Sequence, residues 1–148
     1  MTPRSERLNV VQKVAEGREQ TAAREMAKAR TRMEETEKRL NELILFREEY
    51  ERNLMEKGSA GMNVLRMREY HLFLSRLEQA TTFQRNTLEQ SKLALAHKQR
   101  AWEILRGRVV AIEKLITRYQ QQEQLDNSRR EQKDSDEYAG RAARRNDF

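Results

Sequence analysis

Every seventh residue from Leu74 forms a column: Leu74, Thr81, Leu88, Leu95, Trp102, Val109 and Ile116. None is charged, and all but Thr81 are apolar. A companion column lies three residues on: Leu77, Gln84, Ser91, Lys98, Leu105, Ile112 and Tyr119. It is apolar at both ends and polar in its middle. Alternating three- and four-residue spacings held for about seven heptads are those of a coiled-coil seam, and the two-residue alternation of a strand is absent. A second stripe precedes it at the same period, from Ala22, Met26, Ala29, Met33, Thr36 and Leu40 to Leu43, Arg47, Tyr50 and Leu54. Leu8, Val11 and Ala15 extend this stripe toward the N-terminus, with a phase slip near Arg18.

The two seams are separated by Lys57-Gly58-Ser59-Ala60-Gly61-Met62, the one strong break in the pattern. Thr2-Pro3 suits a helix start, and Asn63 is a suitable cap for the helix that follows the break. The pattern predicts an all-α fold. Two long helices, at about 3–56 and 63–125, form an antiparallel coiled-coil hairpin around a loop at 57–62. Folding about residue 60 sets Leu54 near Leu65–Tyr70 and Leu8 near Ile112–Ile116. A single domain covers 1–148, with an extended polar tail at 126–148 that is helical or frayed until it is bound.

Composition narrows this picture. The chain is 36% charged and 36% hydrophobic, with five glycines and one proline. That is the make-up of a long helical seam rather than of a deep globular core. The absence of cysteine excludes a disulfide scaffold or thiol chemistry and fits a cytosolic setting. No apolar run is long enough to span a bilayer, and MTPRSERLNVVQK lacks the apolar region of a signal peptide. The net charge of +6 is unevenly placed. Residues 84–118 carry eight basic and three acidic side chains, while 119–148 carry six and seven. The basic stretch, Arg85 to Arg118, reads first as a solvated helix face and second as a footprint for an acidic partner or a nucleic acid.

Catalytic chemistry is not in evidence. There is no phosphate-binding loop and no Gly-x-Ser-x-Gly. His71 and His97 lie 26 residues apart, roughly 39 Å along a helix at 1.5 Å per residue, too far to share a metal. No catalytic residue, metal site or cofactor is expected. What remains is binding. Leu72, Phe73, Phe83, Leu93 and Ile104 are large apolar residues off the seam. Residues 73, 77, 80 and 84 form one flank stripe. The group Tyr70, Phe73, Leu77 and Phe83 suits either a well-filled hairpin end or a partner site.

Three stretches then resemble the FliJ family of the flagellar type III export apparatus: GMNVLRMREYHLFLSRLEQA (Gly61–Ala80), KQRAWEILRGR (Lys98–Arg108) and EQKDSDEYAGRAARR (Glu131–Arg145). The resemblance implies a non-enzymatic hairpin similar to the central stalk of rotary ATPases, cytoplasmic and docked at the inner face of the inner membrane. It implies that the end carrying both termini inserts into the hexameric export ATPase FliI. It also implies that the flank contacts the export gate protein FlhA, and that export chaperones bind. On this resemblance the gate-binding residues are Phe73, Leu77, Ala80 and Gln84. The ATPase-facing set is Leu8, Val11 and Tyr119 with Lys133, Asp136, Glu137 and Tyr138. No nucleic acid partner and no membrane insertion are expected, and the free chain is expected to be a monomer. The alternatives are the equivalent rod of a virulence secretion system, a nucleic-acid-binding hairpin using the basic stretch, and a generic homodimeric coiled coil.

Overall fold

A computed structural model describes residues 2–59, 61 and 63–146. Ala60 and Met62, within the expected loop, lie outside the described residues, as do Met1, Asp147 and Phe148. The fold is all-α: helix α1 spans Arg4–Ser59 and helix α2 spans Val64–Asn146. The two pack antiparallel as a helical hairpin, with Tyr50 against Tyr70 near the turn and Ser5 against Glu123 near the termini.

Local chemistry explains the boundaries. The Arg7 N–H donates to the Pro3 carbonyl at 3.2 Å, so α1 begins directly after the proline. At the turn, the Gly61 N–H donates to the Gly58 carbonyl at 3.4 Å, and Gly61 takes φ +88°. That is the left-handed region, which a side chain disfavours. Asn63 caps α2 as expected, its Oδ1 accepting from the Leu65 N–H at 2.7 Å. Helix α1 extends to Ser59, three residues past the expected end, because Gly58 is tolerated in a last turn. Helix α2 runs to Asn146 through a stretch rich in the helix formers Gln, Glu, Arg and Ala, and residues 124–146 are exposed on every side.

Contacts divide the chain into two compact units. One comprises residues 22–102 and the other residues 1–21 with 103–148. In the unit 22–102 the core is the expected seam, with Leu40, Leu77, Leu88 and Leu95 buried. Thr36, Thr81 and Ser91 are buried among them, and each donates its hydroxyl to the carbonyl four residues back, at 2.8, 2.8 and 2.9 Å. That local bond is why hydroxyl residues are tolerated in the seam. Gln84 Nε2 donates across the helices to the Thr36 carbonyl at 3.3 Å.

In the unit of 1–21 and 103–148, Val109 and Ile116 are the buried apolar side chains of α2. The facing stripe of α1 differs from the expected one. The inward positions are Ser5, Leu8, Gln12, Ala15 and Glu19, which join Ala22 and Met26 without any slip. Val11 is 49% exposed and Val14 52%. The expected extension through Val11, with a phase slip near Arg18, is therefore corrected. The three-four spacing continues unbroken, and polar residues occupy two of its buried positions.

Candidate partner-binding surfaces

Two surfaces stand out, one in each unit. In the unit 22–102, aromatic rings from both helices meet near the turn. Helix α1 contributes Phe46 and Tyr50, one turn apart on one face. Helix α2 contributes Tyr70 and Phe73. Tyr50 lies 4.5 Å from Phe73 and 4.9 Å from Tyr70 between ring centroids, and Phe46 meets Phe73 edge-on at 6.2 Å. These separations are those of attractive tilted and edge-to-face pairs. Lys57 Nζ donates to the Tyr70 hydroxyl at 3.2 Å. The Tyr50 hydroxyl is held above its usual pKa, first by burial and then by neighbouring Tyr70, with Lys57 acting in the opposite direction.

This geometry sorts the four residues of the flank stripe. Phe73 is 38% exposed, its ring against Tyr50 and edge-on to Phe46 with the remainder open. Ala80 is exposed. Leu77 is buried in the seam, so it supports the surface from beneath. Gln84 is half-buried and bonded to Thr36, with Arg39, Glu42, Leu43 and Phe46 around the adjoining hollow. Phe83 is exposed and outside the aromatic contacts. Phe46 is a participant that sequence reasoning missed, although its i, i+4 relation to Tyr50 was available as a signal.

In the other unit, Glu123 of α2 reaches the first turn of α1. Its carboxylate accepts from the Ser5 hydroxyl at 2.7 Å and from the Ser5 N–H at 3.2 Å. A helix start has unpaired N–H groups and a partial positive charge, so a carboxylate is favoured there. The Arg4 guanidinium stands over the Tyr119 ring at 5.7 Å. Periodicity alone could not reveal this latch, because its members are polar and far apart in sequence.

Of the residues expected at this end, Leu8 and Tyr119 are half-buried in the pairing, and Val11 is exposed. Lys133, Asp136, Glu137 and Tyr138 are all exposed on α2 beyond the latch. Lys133 follows Tyr119 by 14 residues, roughly 21 Å of helix, so the two halves of that set are not brought together. Among the described residues no helix is long and apolar enough to cross a membrane.

The family model described as Flagellar FliJ protein matches residues 4–147. A Flagellar FliJ protein of Escherichia coli (strain K12) is 32% identical over 138 residues, covering 93% of this chain and 94% of that protein. A Flagellar FliJ protein of Salmonella typhi is 32% identical over 140 residues, with the same shares covered. No solved structure gives a significant match. With a family match over nearly the whole chain and two relatives matched over 94% of their own length, this helical hairpin belongs to the FliJ family of flagellar proteins.

Proposed function

We propose that the chain is a non-enzymatic component of the flagellar type III protein export apparatus, acting as a stalk-like hairpin. Its terminus-bearing unit engages the hexameric export ATPase FliI and promotes ring assembly and activity. Phe73 and Ala80, backed by Leu77 and oriented beside Gln84, contact the export gate protein FlhA at the cytoplasmic face of the inner membrane. Export chaperones are carried by the same chain.

The observation that supports this reading best is the state of α2 beyond the latch. Residues 124–146 are helical and exposed throughout, with no packing partner among the described residues. A polar helix of this kind is marginal alone in water, and a surrounding partner would stabilise it. Lys133, Asp136, Glu137 and Tyr138 present charge and one aromatic ring for such a partner. Membership of the FliJ family supports the flagellar setting.

The gate contact is tested by binding of the full chain to the cytoplasmic part of FlhA. Phe73→Ala and Ala80→Asp are expected to weaken binding at least tenfold, a loss of about 1.4 kcal/mol, without loss of helix. Phe83→Ala, outside the aromatic contacts, is expected to leave it unchanged. Equal binding by all three variants would remove the flank from the proposal.

A further inference from the structure

The unit of 1–21 and 103–148 carries an apolar groove of about 290 Å³ between its helices. Val11 and Val14 form one wall and Leu105 and Ile112 the other, with Arg18 and Arg108 at its sides. The groove exists because of the course of the seam. Buried positions on α1 go to Ser5 and Gln12, while the adjacent valines are left outside. In a hairpin that used its apolar residues only for self-pairing, the reverse arrangement would hold. Val14 and Val11 are three apart, and Leu105 and Ile112 seven apart, so the exposed strip has helical spacing on both walls.

We propose that this groove receives a two-turn amphipathic helix with acidic flanks, supplied by a partner protein. Its apolar face fills the space between the valines and Leu105, and its carboxylates meet Arg18 and Arg108. Helix-in-groove docking of this kind reads apolar anchors at i, i+3 or i+4, and i+7. The charge pattern selects this occupant over a second copy of the chain. A two-fold contact places the same patch against itself. It would bring the arginines of one copy, Arg18 and Arg108, against those of the other, and like charges across an interface oppose association. The groove lining contains no acidic side chain to offset that repulsion. The proposal rests on the terminus-bearing unit being a partner surface, as in the proposed function, and adds what the partner must present.

The test uses the full chain and two synthetic 16-residue helical peptides. Both carry leucine at i, i+3, i+4 and i+7. One has glutamate and the other lysine at the flanking positions. The glutamate peptide is expected to bind roughly tenfold more tightly than the lysine peptide, in line with charge-pair effects. Its amide shifts should centre on 11–18 and 105–112. The exposed double variant R18E/R108E should reverse the preference while keeping its helix content. Equal binding of both peptides, shifts located elsewhere, or a concentration-dependent dimer that protects the groove would each overturn the inference. Because no ATPase is present, the readout separates the two proposals. Peptide binding by a chain that fails to engage the ring would leave the groove standing and refute the ring contact. Ring assembly by a chain that ignores both peptides would do the opposite.

Discussion

Gln12 occupies a buried position between the helices, and its Oε1 has no hydrogen-bond partner among the described residues. An unsatisfied buried acceptor costs about 1–3 kcal/mol. Gln12→Leu is therefore expected to raise stability by about 1–2 kcal/mol in urea unfolding, and an unchanged midpoint would mean that the amide is hydrated. Ser5 is satisfied where Gln12 is not, since Glu123 takes both its hydroxyl and its N–H. Ser5→Ala and Glu123→Ala should each cost about 1 kcal/mol, with a non-additive double variant, because both act on one cap. Amide exchange at residues 5–8 should quicken in either variant, and additive losses would contradict the latch. At the turn end, Tyr50 ionises less readily when folded than when unfolded. Above the usual tyrosine pKa of about 10, the unfolded chain therefore binds fewer protons than the folded one, and stability falls as pH rises. The contribution is intact below that value and is lost as pH climbs through the raised one. Tyr50→Phe should flatten the alkaline fall in melting temperature, and an identical pH profile would refute the assignment.

At the scale of elements, α2 was the more legible helix. Its column from Leu74 to Ile116 is apolar at nearly every turn, and Thr81, the exception, meets its own hydrogen-bond need at the Leu77 carbonyl. Helix α1 was legible from Ala22 onward. In its first turns Leu8 and Ala15 face inward as expected and Val11 does not, because apolarity alone does not mark burial there. There the buried positions hold Ser5 and Gln12, and the apolar Val11 and Val14 face outward. The candidate site was partly legible in the same way. Phe73 announced itself as a large apolar residue off the seam and Phe46 had a signal in its spacing from Tyr50, whereas Arg4 and Glu123 act through contacts that only the pairing of the two helices creates. Gly107 has nothing within 4 Å of where a Cβ would stand, so no close approach requires it. Gly107→Ala is expected to stabilise the helix by about 0.8–1 kcal/mol, measured as a raised melting temperature. Destabilisation would point to a neighbour that the added methyl meets.

At the scale of the whole molecule, one hairpin carries an aromatic flank in one unit and a latch, groove and unpaired helix in the other. The seam holds the fold, and little of what would meet a partner belongs to the seam. The proposed division of labour, gate contact by the flank and ring contact by the terminus-bearing unit, rests on that separation. The tail should exchange its amides rapidly when the chain is alone, since helix without tertiary packing opens readily. The most direct test is the ATPase rate and the assembly state of the cognate export ATPase, with the full chain and with a chain ending at Glu123. The account predicts that the full chain stimulates hydrolysis and ring formation, that the shortened chain does neither while remaining a helical hairpin, and that ring binding slows exchange across 124–146. Equal stimulation by the shortened chain, or none by the full chain, would contradict it.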